Sequence, residues 1–233
     1  MLPHIVKLNS IALDLLFPKR CVGCGREGEF ICDFCRHSID RIFPPICPRC
    51  GRPQPGGVLC PSCISWQTAI DGIRSPFCFN GIIREAIHQL KYRNLRALSG
   101  QLAGYLRDFL IDYPLTVDLI VPVPLHPKRL KERGYNQSAL LARDLGKFTG
   151  LPVAGNSLIR RQHTLPQAKT VSVTERRKNV AGIFHCEDII IKNKQVLLID
   201  DVSTSGATMD ACARALKDAG ADSVWGLALA REI

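Results

Sequence analysis

The chain has 233 residues, 46% of them hydrophobic and 22% charged, with 31 Lys and Arg against 21 Asp and Glu for a net charge of +10. This is the composition of a globular protein, either one large domain or a small one joined to a larger one. No apolar run reaches the roughly 18 residues of a membrane span, so a protein of the cytoplasm is expected.

The basic excess has a location. Residues 1–70 carry 8 cations against 5 acids, and residues 71–233 carry 23 against 16. It concentrates at Lys128, Arg129, Lys131 and Arg133, and again at Arg160, Arg161, Lys169, Arg176, Arg177 and Lys178. Such clusters suit a polyanionic small molecule, so basicity alone does not establish nucleic-acid contact.

Residues 1–17 are apolar but broken by Lys7, Asn9, Ser10 and Asp14, with no small-residue cleavage site before Pro18. The pattern predicts an amphipathic helix over 1–20 rather than an export signal. Eight of the 11 cysteines then fall into four C-x-x-C pairs: Cys21/Cys24, Cys32/Cys35, Cys47/Cys50 and Cys60/Cys63. Each turn aims two thiolates at one ion, and two turns complete a tetrahedron. The segment has too few large apolar residues for a core of its own, which favours structural zinc. Disulfides are disfavoured by the missing export signal, and a redox pair by the missing βαβ context. Eight thiolates suit two Zn(Cys)₄ sites in a double ribbon over 21–65, paired either consecutively or interleaved. The ribbons could face nucleic acid, protein or only their neighbouring domain.

Residues 64–80 lead into a second domain, 66–233, with an edge strand near 73–79 interrupted by Pro76. A helix over 81–92 places Ile83, Ala86, Ile87 and Leu90 on one face. Lys91 and Tyr92 follow as a helix-end cation and a packing aromatic. A second amphipathic helix covers 95–109. Residues 119–121 form a buried strand, which Pro122 and Pro124 end abruptly. The stretch from His126 to Gln137 then brings Lys128, Arg129, Lys131 and Arg133 within six residues, as a basic loop at the strand's C-terminal end. A helix over 138–148 buries Leu140, Leu141 and Leu145. Residues 160–184 form a long basic connection, readable as a closing lid or as a solvated hairpin.

The most informative stretch lies at 196–208. Residues 196–199 read as a buried parallel strand. Asp200 and Asp201 stand at its C-terminal end, where open α/β sheets bind ligands. Ser203, Thr204, Ser205, Gly206, Ala207 and Thr208 follow, and a helix over 209–219 runs on to Gly220. A hydroxyl-rich turn opening a helix offers free N–H groups and a dipole to a phosphate. Carboxylates beside it suit sugar hydroxyls. A ribose 5-phosphate satisfies both. Residues 223–230 form a last apolar strand. Neither a Walker loop nor G-x-G-x-x-G occurs, and Cys78, Cys186 and Cys212 read as core thiols.

The 196–208 stretch resembles the 13-residue signature of type I phosphoribosyltransferases, with Ser205 where many members have Thr. That resemblance implies binding of 5-phosphoribosyl 1-diphosphate (PRPP) with Mg²⁺. Asp200 and Asp201 would then hold the ribose hydroxyls, and residues 203–208 would wrap the 5′-phosphate. Together with Pro122-Val-Pro124, the block Arg133-Gly-Tyr-Asn-Gln137 and the zinc ribbons, it resembles the ComF family. The family likeness implies a parallel α/β sheet of type I phosphoribosyltransferase fold behind a double zinc ribbon. It assigns the diphosphate to Lys128, Arg129, Lys131 and Arg133, and a lid to Gln167, Lys169 and Arg176. The expected activity is transfer of ribose 5-phosphate to an unidentified acceptor, in the setting of DNA uptake. The rival expectation is a non-catalytic accessory factor that contacts single-stranded DNA or a helicase-type partner through ribbons and basic loops.

Overall fold

The computed structural model describes residues 18–161 and 182–233. The helix expected over 1–20 and the lid residues Gln167, Lys169 and Arg176 lie wholly or largely outside them. Two short helices sit in the cysteine-rich front end, α1 (Asp33–His37) and α2 (Pro61–Ile64), each beginning just after the first cysteine of a C-x-x-C pair. The larger part follows in the order β1 (Gly72–Arg74), β2 (Phe77–Cys78), α3 (Gly81–Tyr92), α4 (Leu98–Asp112) and β3 (Leu119–Pro122). Next come α5 (Pro127–Arg133), α6 (Gln137–Thr149), β4 (Leu158–Arg160), β5 (Phe184–Cys186), β6 (Gln195–Ser203), α7 (Ala207–Asp218) and β7 (Ser223–Arg231).

The main sheet is parallel throughout, in the order β1-β7-β6-β3, with β2 also on β7. β1 and β2 hold one register against β7, Gly72 opposite Trp225 and Phe77 opposite Ala230. They are one edge strand interrupted at Ser75 and Pro76, as the proline requires. Alternation divides β6 between two cores. Leu197 and Ile199 join the helices α3, α4 and α6 on one face. Val196 and Leu198 join Met209, Cys212, Ala213 and Leu216 of α7 on the other.

Several elements differ from expectation at their ends. The strand expected to stop at Ile199 continues through both aspartates to Ser203, because β7 keeps pairing alongside it, Ser203 opposite Arg231. Helix α7 begins at Ala207, so Ala207 and Thr208 form its first turn. The basic stretch after β3 is no loop. His126 Nδ1 caps helix α5 by accepting from the Lys128 N–H, Pro127 enters at the first turn, and Gly134 ends it at φ 77°. Proline inside the start and a left-handed glycine past the end fix such a helix. In α6, Leu141 and Leu145 are fully buried, whereas Leu140 is only partly so.

Candidate functional site

The two cysteine clusters settle the pairing. Cys21, Cys24, Cys32 and Cys35 form one group and Cys47, Cys50, Cys60 and Cys63 the other, with all thiol sulfurs of a group within 4.8 Å of one another. A tetrahedral zinc with Zn–S of about 2.3 Å sets its sulfurs roughly 3.8 Å apart. The sulfurs of Cys24 and Cys32 are 3.6 Å apart, and those of Cys50 and Cys60 3.8 Å. The ribbons are therefore consecutive, and each fits one structural zinc.

Their electrostatics match as well. The Cys32 N–H donates to Cys21 Sγ and the Cys60 N–H to Cys47 Sγ, both at 3.4 Å. Burial works to raise the Cys21 thiol, yet the N–H groups of Cys32, Cys24 and Gly23 outweigh it and bring it to about 6. Cys47 is likewise buried and likewise brought to about 6, by Cys50, Cys60 and Arg49. These two thiols yield thiolate readily, whereas burial pushes Cys35 up to about 12 and raises Cys50 and Cys63, so zinc itself would draw off the remaining protons.

The ribbons touch the neighbouring domain in different places. The first lies against α4, where Gln101 receives the Ile31 N–H at 3.0 Å and donates to the Ile31 carbonyl at 2.6 Å. The second lies against β1 and the turn after β6. The Ile73 N–H bonds the Arg49 carbonyl at 2.8 Å. At Gly51, φ 73°, a side chain would meet the Ile73 carbonyl oxygen at 2.5 Å. Trp66, just past the last cysteine, packs on Gly206: a methyl there would stand 3.1 Å from the indole and 2.8 Å from Ile73 Cδ1. With φ 79°, Gly206 is doubly required.

Arg231, at the end of β7, is 2% exposed. Its guanidinium donates to Ser203 Oγ and to the Thr204 carbonyl, each at 3.2 Å. Burial lowers its pKa, and the thiolates Cys50, Cys63 and Cys60 pull it back up. A buried cation needs compensating charge. Here the second cysteine cluster supplies it. The second ribbon and the 203–208 turn thus share one buried arginine.

At the turn itself, Ser203 is buried with its hydroxyl bonded to Arg231, while Thr204 is exposed and Ser205 partly so. Ser205 Oγ accepts from the Ala207 N–H at 3.4 Å. The remaining first-turn N–H groups of α7, at Thr208 and Met209, have no intrahelical partner by helix geometry. Asp210, in the same turn, accepts from the Ala69 and Ile70 N–H groups at 2.6 and 3.1 Å and ties the linker down.

The two aspartates are not equivalent. Successive strand residues face opposite ways. Asp200 lies beyond the last pairing of β3 with β6, Pro122 opposite Ile199, and its Oδ1 accepts from Ser138 Oγ at 2.8 Å and from the Asp201 N–H at 2.9 Å. Asp201 is 3% exposed and faces α3, where Lys91 Nζ meets its Oδ2 at 2.8 Å. Burial first, and then the Asp201 charge, push the Asp200 carboxyl up to about 7.

Lys91 is therefore no mere helix-end cation, and Tyr92, 66% exposed, packs at the surface with its ring centroid 4.9 Å from that of His88 rather than in the core. The end of α3 is fastened to the basic segment instead. Tyr135 Oη donates to the Leu90 carbonyl, and the Arg133 guanidinium lies 5.4 Å from the Tyr92 ring centroid. Arg133 also donates to Gln137, while Lys128, Arg129 and Lys131 are exposed along α5. Asn136 caps α6, accepting from the Ser138 N–H and donating to the Val123 carbonyl. That brings Ser138 to Asp200. The strands on either side of 162–181, β4 and β5, pair antiparallel, Leu158 opposite Cys186 and Arg160 opposite Phe184.

Sequence reasoning took Lys91 for a helix-end cation and assigned no site role to Ser138, Trp66 or Arg231. Lys91 and Arg231 had one available signal, a cation closing an otherwise apolar face or strand.

The double zinc ribbon domain family matches residues 12–64, and the phosphoribosyl transferase domain family matches residues 130–230. Competence protein ComFC of Bacillus subtilis (strain 168) is 33% identical over 211 residues, 87% of this chain and 85% of that protein. Competence protein F of Haemophilus influenzae is 36% identical over 119 residues, 48% of this chain and 51% of that one. DNA utilization protein YhgH of Escherichia coli (strain K12) is 29% identical over 152 residues, 63% and 66% of the two chains. With a relative alike along most of both lengths, and the two domain families in this order on a parallel sheet, the chain belongs to the ComF family: a double zinc ribbon followed by a type I phosphoribosyltransferase fold.

Proposed function

We propose that the end of β6 binds PRPP or a related ribosyl phosphate and that the protein transfers its ribose 5-phosphate to an acceptor, in the context of DNA uptake. One observation carries this reading. A carboxylate near the C-terminal end of the central parallel strand β6, Asp200, precedes a turn, Thr204 to Gly206, that opens helix α7. The turn's amides and the helix dipole suit the 5′-phosphate, and the carboxylate suits the sugar hydroxyls. Thr204, Ser205 and Thr208 are accessible enough to add hydroxyl donors; Ser203 and Gly206 shape the turn from below. The parts of the chain have separate tasks. Asp200 and the turn fix the sugar, and the cations Lys128, Arg129 and Lys131 meet the diphosphate as charge develops on it. Gln167, Lys169 and Arg176 belong to the connection between β4 and β5, which we assign to covering the reacting centre.

Mg²⁺ takes oxygen donors and commonly one carboxylate together with substrate phosphates. Asp200 fits that donor chemistry, and the ion would neutralise diphosphate charge. The decisive experiment incubates the zinc-loaded protein with PRPP, Mg²⁺ and a panel of amines, bases and nucleic acids. Diphosphate released only with one acceptor class supports transfer and identifies the acceptor. No release with any, despite tight PRPP binding, would reduce the protein to a binder.

A second reading has its own support. Tyr92 is exposed beside Arg133, an aromatic and a cation that together suit a stacked base. On this reading the protein is an accessory factor that contacts single-stranded DNA, or a helicase-type partner, through its ribbons and basic segments. The names of the relatives, competence and DNA utilization proteins, agree with it. Binding of an oligonucleotide should then weaken steeply with salt and persist without Mg²⁺.

A further inference from the structure

We infer that Arg160, at the end of β4, is a ligand-contacting cation of the β6 site and that it grips the diphosphate together with Arg129 of α5. This rests on the ribosyl-phosphate reading above and adds a residue from a strand to which that reading gives no task.

The pleat fixes the face on which Arg160 lies. Along the β4–β5 pair, Leu158 stands opposite Cys186 and Arg160 opposite Phe184, with Ile159 and His185 between them. Leu158, Cys186 and Phe184 are buried in the core that α7 covers, whereas Ile159 is 58% exposed. Arg160 therefore shares the inward face, at the point where its apolar stretch ends. The side chain is half-buried, and its guanidinium lies 5.5 Å from the Phe184 ring centroid.

A cation drawn that far out of water ordinarily has an acid beside it. Among the described residues, Arg160 has no ion pair and no side-chain hydrogen bond; its neighbour Arg161 turns outward and reaches Glu187 at 3.9 Å. Burial lowers the Arg160 pKa. The Cys212 thiol of α7 faces it but stays protonated, since burial and then Asp200 push that thiol well above its ordinary value. Because Cys212 feels both charges, Arg160 stands at the end of the sheet where Asp200 stands. The next group to act on Arg160 is a second cation, Arg129. Arg129 is exposed on α5 and also lacks an acid partner among the described residues.

Two arginines brought together from separate elements, with no carboxylate between them, repel each other until an anion arrives. Each guanidinium presents a planar fork of donors that matches phosphate oxygens two at a time. A diphosphate suits such a pair, because its charge spreads over two phosphoryl groups. The turn after β6 and Asp200 take the other end of the ligand. Arg160 and Arg129 then distinguish a ribosyl diphosphate from a sugar phosphate without one. The arrangement costs stability in the empty protein, as sites built for a ligand commonly do.

The test titrates three ligands by calorimetry into the zinc-loaded chain with Mg²⁺: PRPP, inorganic diphosphate, and ribose 5-phosphate, which lacks the diphosphate. Arg160→Met keeps a stem against Phe184 and removes the charge. It should weaken PRPP and inorganic diphosphate about ten- to hundred-fold, the scale of a charged hydrogen bond, and ribose 5-phosphate less than about three-fold. Arg160→Lys should recover only part of the loss, because a point charge replaces the fork. The melting temperature of Arg160→Met should equal or exceed that of wild type, which a purely structural arginine would not allow. Arg129→Met, on exposed α5, should repeat the ligand pattern and stands in if Arg160→Met does not fold, while Arg161→Met should leave all three affinities unchanged. Unchanged PRPP affinity in Arg160→Met or Arg129→Met would overturn the inference and leave the site reading intact. So would an equal loss of all three ligands in Arg160→Met together with a lowered melting temperature. A wild-type protein that binds neither PRPP nor ribose 5-phosphate would overturn the site reading itself.

Discussion

The two zinc ribbons are built alike and employed differently. Both use consecutive C-x-x-C turns, both lower their first cysteine to about 6 against the pull of burial, and both donate an N–H to that sulfur at 3.4 Å. The first packs on α4, behind the sheet, and leaves Cys24 exposed. All four cysteines of the second are buried, and its neighbours Trp66 and Arg231 brace the turn at the end of β6. A zinc module is thus not one kind of part. What it does depends on which residue of the larger domain shares its charge.

The contrast can be broken most directly at the metal sites. Cys60→Ser should leave about one zinc per chain by elemental analysis, cost several kcal/mol of stability and abolish PRPP binding. Cys24→Ser should lower zinc equally but keep affinity within a few-fold. Equal loss of binding in both would erase the distinction between the ribbons.

Arg231→Met sharpens the same point without touching a metal ligand. Removing one partner of a buried charge group costs about 3–5 kcal/mol. Urea unfolding should show a loss of that order, and PRPP affinity should fall at least ten-fold even in variants that retain both zinc ions. An intact affinity would mean that the guanidinium merely fills space.

Gly206→Ala has a smaller expected effect. The left-handed backbone costs a non-glycine residue roughly 1–2 kcal/mol, and the methyl adds overpacking against Trp66 and Ile73. Gly100→Ala, in α4 with nothing within 4 Å of the added carbon, serves as the contrast and should be neutral or slightly stabilising.

The smallest effect is a pH dependence. The folded-state pKa of Asp200 is raised from 3.8 to about 7, chiefly by burial and next by Asp201. Its favourable contribution is therefore complete below the unfolded value and is lost as pH rises through the folded one. Asp200→Asn should melt a few degrees above wild type at pH 8 and match it near pH 4. Because hydroxyl ligands want the ionised acid, wild-type affinity for PRPP should climb as pH rises through about 7. Matching melting curves at pH 8 would contradict this environment for Asp200.

Much of this was legible in the residues. The order of strand, acids, hydroxyl-rich turn and helix was readable before the fold, and the proline at 76 foretold a broken edge strand. Other features were present as signals yet outweighed. Pro127 and Gly134 bracket a helix, but four cations close together read more naturally as a loop. The end of β6 was hidden because acids seldom continue a buried strand; β7 pairs with them regardless. The partners of Lys91 and Arg231 could not be read locally, since Asp201 and Ser203 reach them only through the folded sheet.

The central claim is that the end of β6 holds a ribosyl phosphate through Asp200 and the turn that follows. Calorimetric titration of PRPP with Mg²⁺ into zinc-loaded wild type and Asp200→Asn tests it most directly. The account predicts saturable one-to-one binding that weakens at least ten-fold in the variant. An absence of binding, or equal binding by both proteins, would contradict it.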